Sequence, residues 1–212
     1  MRIVPPRRYD QFCGLARALE IVGERWTLLV VRDLLDGPKR YGDLLEGLAP
    51  IATDVLAGRL RELEAAGIVT REPGRSYALT QDGFALVPAL DALARWGLRR
   101  LERRPDDIVR PRWLGMAVRS LVRRDRPGVD LVVRLDVPEG SAALHITEAA
   151  VTEVAPPEGG APDVVLAGDA EALIDALDPG RLPDLLAAGD LTVSGEPAAV
   201  RTLAGLFPGA GR

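Results

Sequence analysis

The chain has 212 residues, with 27 basic and 31 acidic side chains, 47% hydrophobic residues, one cysteine and one histidine. This is the composition of a globular protein of one large domain or two small ones. It excludes a structural zinc site, which wants about four Cys or His ligands, and an internal disulfide, and it leaves His145 as the only histidine for acid–base or nucleophilic catalysis.

No apolar run approaches the roughly 20 residues of a membrane span, and the opening MRIVPPRRYD has no apolar signal-peptide core after its charges. A cytoplasmic protein without metal, cofactor, membrane contact or catalytic residues is expected. Its charge is split. Residues 1–127 hold 23 Lys/Arg against 17 Asp/Glu, a net of +6, whereas residues 128–212 hold 4 against 14, a net of −10. Such asymmetry points to two modules, the basic one facing a polyanion. The first is set at 1–104, a linker rich in Pro and Asp at 105–111, and the second at 112–212.

In chain order, Phe12, Leu15, Ala16, Leu19 and Val22 recur at helical spacing and stop at Gly23. Thr27 is read as the cap of a second helix, TLLVVRDLLDG, ended by Gly37-Pro38. A short helix from Tyr41 to Leu48 is closed by Pro50. A fourth opens at Thr53, with Val55, Leu56, Leu60, Leu63 and Ala66 on one face and Gly67 at its end. Ile68–Arg71 and Ser76–Thr80 read as strands around a Pro73-Gly74 turn, a β-hairpin with a basic tip. Helices followed by a hairpin in this order give the winged helix-turn-helix plan, in which one helix fits the DNA major groove. A domain of the same plan that binds only protein is the alternative. From Phe84 a further helix is expected through Arg104, with Leu86, Leu90, Leu93, Trp96 or Gly97, and Leu101 as an apolar stripe.

The stretch CGLARALEIVGERWTLL (13–29), Gly37-Pro38 with Arg40-Tyr41, VLAGRLRELEAAGIV (55–69) and Tyr77-Ala-Leu-Thr-Gln-Asp-Gly83 resemble, in order, the motifs of the HxlR family of bacterial transcription regulators. The resemblance implies a homodimer, assembled through its first and last helices, whose fourth helix reads operator DNA. On that reading Ala52, Thr53, Asp54 and Ala57 face base edges. Arg59 contacts phosphate or guanine, and Lys39, Arg40 and Arg75 contact phosphate. The resemblance also places Cys13 where some members carry a redox-sensing thiol. The alternative for Cys13 is a small residue packed in the dimer helix.

In the second module a helix from Trp113 to Val122 precedes strands at 130–137, 143–147, 150–154 and 163–167. A helix starting at Asp169, another over 182–188, a strand at 191–193 and a last helix from Pro197 to Phe207 complete an α+β layer with helices on one side. Residues 154–162, VAPPEGGAP, read as a surface loop, and His145 as a satisfied or exposed strand residue. The order, and AGDLTVSGEP (188–197) above all, resembles the sterol carrier protein domain. That resemblance implies a tunnel for an apolar small molecule or lipid, lined by Trp113, Met116, Leu121, Leu173, Leu177 and Leu203; plain core packing is the alternative for each. The expectation is a ligand-responsive regulator, and the alternative a hydrophobic small-molecule carrier without specific DNA binding.

Overall fold

The computed structural model describes residues 8–154 and 161–207, so most of the loop expected at 154–162 lies outside the described residues. By contact the chain divides into two units, residues 1–90 and 91–212.

The first unit runs α1 (Gly14–Val22), α2 (Thr27–Asp33), β1 (Lys39–Arg40), α3 (Tyr41–Gly47), α4 (Thr53–Ala65), β2 (Val69–Glu72), β3 (Ser76–Leu79) and α5 (Gln81–Phe84), and ends in the first turn of α6 (Val87–Leu98). Its core is aliphatic. Val30, Val31 and Leu34 meet Leu44 and Leu48 of the α3 region and Leu56, Leu60 and Leu63 of α4, all at 1% exposure or less. Burying a leucine this completely contributes about 1.5–3 kcal/mol, so spacing at i, i+4, i+7 orients α4 and turns its other face outward.

Three local expectations are corrected. The cap of α2 is Trp26, in a left-handed conformation (φ 77°), and Thr27 is the first helical residue. Thr27 is buried, and its Oγ1 has no hydrogen-bond partner among the described residues. Helix α2 also stops at Asp33, because the chain turns through Gly37 (φ 115°) into β1. That two-residue strand, invisible to periodicity, pairs antiparallel with β3 (Lys39 with Tyr77, Arg40 with Ser76) and makes the hairpin a three-stranded sheet of order β1-β3-β2.

The helix expected from Phe84 to Arg104 is instead two pieces. Pro88 lacks the N–H of a helix interior, but it suits the first turn of a new helix, α6. Leu101 lies beyond its end. Helix α5 is capped by Thr80, whose Oγ1 accepts from the Gly83 N–H at 3.1 Å and donates to the Gly67 carbonyl at 2.5 Å. A Cβ on Gly83 would lie 2.3 Å from the Ile68 carbonyl oxygen, so only glycine lets α5 cross the start of the hairpin there.

The second unit contains the rest of α6, then α7 (Pro111–Leu121), β4 (Asp130–Val137), β5 (Gly140–Thr147), β6 (Val151–Val154), β7 (Val164–Gly168), α8 (Ala170–Asp175), α9 (Leu182–Ala188), β8 (Leu191–Gly195) and α10 (Pro197–Gly205). The sheet order is β6-β5-β4-β7-β8, antiparallel except for the parallel β4–β7 pair. Alternation along β4 buries Leu131, Val133, Leu135 and Val137. These pack with Leu114, Ala117 and Val118 of α7, Leu173 of α8, Leu203 of α10 and Leu206 just after it. Asp130, Val132, Arg134 and Asp136 alternate onto the other face. Asp169 caps α8 by accepting from the Ala172 N–H at 2.7 Å, as its sequence position predicts.

Residues 91–104 belong with this unit, although the sequence boundary falls after them. Asp91 pairs with Arg119 at 3.2 Å, Arg95 Nε donates to the Ser120 carbonyl at 2.9 Å, and Leu98 packs on the core.

Candidate nucleic-acid interface

The outward face of α4 is built by the leucines it buries. With Leu56, Leu60 and Leu63 turned in, Ala52, Thr53 and Asp54 are exposed at its start, and Ala57 and Gly58 are half-buried one turn later. Ala52 is the N-cap and offers no side-chain cap. The start of the helix is anchored from outside instead: the Tyr41 hydroxyl donates to the Thr53 carbonyl oxygen at 2.7 Å. This bond ties the first residue of α3 to the first residue of α4, the two helices of the helix-turn-helix.

Cations flank that face. Lys39 and Arg40 form β1, held beside the wing by pairing with β3, and the Arg40 N–H donates to Asp43 Oδ2 at 3.0 Å in the first turn of α3. Arg75 is exposed at the wing tip at φ 63°, after Gly74 at φ 86°. None of these three side chains is in an ion pair among the described residues. Tyr41, Arg71, Glu72, Gly74, Arg75 and Tyr77 line a half-open groove of about 490 Å³ between the start of α3 and the wing.

Two further arginines of this unit, Arg59 and Arg71, are engaged, whereas Arg61 is exposed on α4. Arg59 is 18% exposed and bound to Glu62 at 2.7 Å, one turn along α4. Arg71 is held by Glu64 at 3.1 Å and lies over the Tyr77 ring, 5.4 Å from its centroid. Lys39 and Arg40 thus stand on β1 and Arg75 at the tip of the β2–β3 hairpin, and Ala52, Thr53, Asp54 and Ala57 lie in the first turns of α4, whereas Arg59 is tied down along the helix. Sequence reasoning passed over Tyr41 as a site residue; an aromatic hydroxyl directly after a basic pair, at the start of the first helix of the motif, was the available signal.

Residues singled out elsewhere are placed as follows. Cys13 is exposed at the N-cap of α1. On the same helix Glu20 accepts from Arg17 Nη1 and from the Tyr9 N–H, each at 2.8 Å. Bonding to Arg17 first, and to Tyr9 next, holds its carboxyl below the usual carboxylate range. In the second unit Leu173, Leu177 and Leu203 are buried in the core, and Trp113, Met116 and Leu121 are half-buried on α7. His145, on β5 between β4 and β6, has its Nε2 2.6 Å from Asp130 Oδ1, a satisfied strand residue.

Residues 21–105 match the family model described as HxlR-like helix-turn-helix. An uncharacterized HTH-type transcriptional regulator of Methanothermobacter thermautotrophicus is 34% identical over 94 residues, which are 42% of this chain and 72% of that one. The HTH-type transcriptional regulator YodB of Bacillus subtilis is 36% identical over 98 residues, 43% of this chain and 86% of YodB. The uncharacterized HTH-type transcriptional regulator Rv3095 of Mycobacterium tuberculosis is 41% identical over 96 residues, 42% of this chain and 60% of Rv3095. With several ordered motifs, a three-stranded wing and an outward-facing fourth helix in place, the chain belongs to the HxlR-like helix-turn-helix family of DNA-binding transcriptional regulators.

Proposed function

We propose that the chain works as a homodimer that binds operator DNA through α4 and responds to an apolar small molecule or lipid taken up by its second unit. The observation that carries the DNA part is the outward face of α4, anchored by Tyr41 and flanked by Lys39, Arg40 and Arg75. A helix fits the B-DNA major groove, with its first residues at base edges, while a basic wing reaches a neighbouring phosphate. Two such helices in a dimer meet half-sites about 34–36 Å apart.

Support for two copies comes from α1 and its approach. Phe12 is fully exposed, and Tyr9, Leu15, Leu19 and Ile21 are exposed with it, an apolar surface that water penalises and a second copy would cover. The Cys13 thiol lies on this surface, where dimer packing and redox sensing are both open to it.

For the second unit, the strand order and its closing β8–α10 sequence support a sterol carrier protein-like layer. The ligand would enter among α7, α8 and α10, with Trp113, Met116 and Leu121 beside Leu173, Leu177 and Leu203. A ligand that prefers one arrangement of the two reading helices shifts operator affinity by its differential affinity and no more. The protein acts by binding, without cofactor, metal or catalytic residue, in the cytoplasm.

The test is binding of the full chain to DNA from upstream of its own gene, against a scrambled duplex, at several salt concentrations. Specific binding with a steep linear fall of log affinity against log salt is expected. Equal, weak binding to both duplexes at every candidate operator would leave the hydrophobic-carrier function in its place. Repeating the titration with a fluorescent fatty acid present tests the sensing arm: bound probe that leaves operator affinity unchanged removes it.

A further inference from the structure

We infer that Asp54 selects a C·G base pair in each half-site by accepting a hydrogen bond from the cytosine amino group. The inference rests on α4 being the DNA-reading helix and names what that helix reads.

Positions 54, 57, 58 and 61 fall on one face of α4 by helical spacing. Asp54 is exposed, and its carboxylate makes no hydrogen bond or ion pair among the described residues. Ala57 and Gly58, behind it, offer no side-chain donor or acceptor, and Arg59 is held by Glu62 through contacts of 2.7 and 3.0 Å. In the first two turns, base-edge bonding from side chains therefore falls to the Thr53 hydroxyl and the Asp54 carboxylate.

Gly58 adds to this. A helix-interior glycine costs roughly 0.5–1 kcal/mol relative to alanine, yet a Cβ at Gly58 would meet nothing within 4 Å. Packing does not require this glycine; close approach of the α4 backbone to the floor of a groove does. The Tyr41–Thr53 bond fixes the turn from which Asp54 projects.

The choice of base follows from the chemistry. An ionised carboxylate only accepts hydrogen bonds. In the major groove guanine shows two acceptors, thymine an acceptor and a methyl group, adenine a donor beside an acceptor, and cytosine a donor alone. Cytosine satisfies the carboxylate, whereas guanine and thymine set acceptor against acceptor in a site emptied of water. Repulsion of the wrong bases sharpens the choice as much as attraction to the right one.

The experiment is selection from a randomised duplex library with the full chain and with its Asp54→Ala and Asp54→Asn variants, followed by affinity measurements on the selected duplexes. The unaltered protein is expected to select C·G at one position per half-site. Asp54→Ala should bind that duplex about tenfold more weakly and lose preference at that position only. Asp54→Asn should move the preference there toward A·T, since an amide pairs with both adenine groups. Circular dichroism and melting of both variants should match the parent, because Asp54 is exposed. Variants that keep the parent's motif and affinity overturn the inference, and so does a uniform gain in affinity for all duplexes, the signature of a charge that only repels phosphate. If the parent selects a motif in either of these cases, the DNA-reading function survives the loss of this inference; if it selects none, both fall.

Discussion

Helices α1 and α4 of the first unit dispose of their apolar faces in opposite ways. Helix α4 buries Leu56, Leu60 and Leu63 almost completely within its own unit, whereas α1 buries only Ala16 and leaves Leu15, Leu19 and Ile21 exposed beyond the fully exposed Phe12. A helix whose apolar face is satisfied at home can turn a polar face to a ligand. A helix whose apolar face is left in water calls for a protein partner. On the function proposed above, the difference separates the surface that would read DNA from the surface that a second copy would cover.

The satisfied side should respond most strongly. Leu60→Ala should lower stability by about 2–5 kcal/mol, the usual cost of a core cavity, read as a fall in Tm. The comparison breaks if Leu15→Ala lowers a dilute, concentration-independent melt as much.

On the unsatisfied side, Phe12→Asp with Leu15→Asp should turn a dimer into a monomer at micromolar concentration, seen by sedimentation, while far-UV circular dichroism stays unchanged. A variant that sediments like the parent would place the partner surface elsewhere.

Smaller effects sharpen the DNA side. Lys39→Ala and Arg75→Ala should each weaken binding to all duplexes alike and reduce the slope of log affinity against log salt by about 1. Gly58→Ala should stabilise the fold by about 0.5–1 kcal/mol and weaken operator binding, an opposition that a purely structural glycine would not show.

The smallest effect concerns α1 alone. Because the Glu20 carboxyl is held low by Arg17 and the Tyr9 N–H, its contribution to stability is present above the ordinary glutamate range and lost as pH falls through its depressed value. The melting difference between the parent and Glu20→Gln should therefore close in acid. A difference that persists there would mean that the ionised carboxylate is not its source.

Much of this arrangement was legible in the chain. The buried stripe of α4 and its end at Gly67 follow from spacing, and strand β4 was found at its observed bounds because one-sided burial writes a period of two into the residues. Misplaced features were those that rest on contacts between distant segments. Strand β1 has two residues, too few for any period, and exists because β3 offers it backbone partners. Trp26 starts α2 through a left-handed turn that no capping preference anticipates. The break between α5 and α6 was masked by an apolar run that continued through it, although Pro88 marked it.

At the site the cations and exposed helix positions could be named from their residue types. Which arginines stand free could not, because that depends on which glutamate each one meets. The helix-turn-helix order, the inward leucines of α4 and the charge split between the two halves are readable along the chain, since all three are local or additive properties. That Tyr41 anchors Thr53, that Arg59 and Arg71 are tied to Glu62 and Glu64, and that Asp54 is unpaired among the described residues on an open face are set by the packed fold. Hydrogen bonds and ion pairs act over a few ångströms in space, and spacing along the chain fixes those distances only within a single helix or strand.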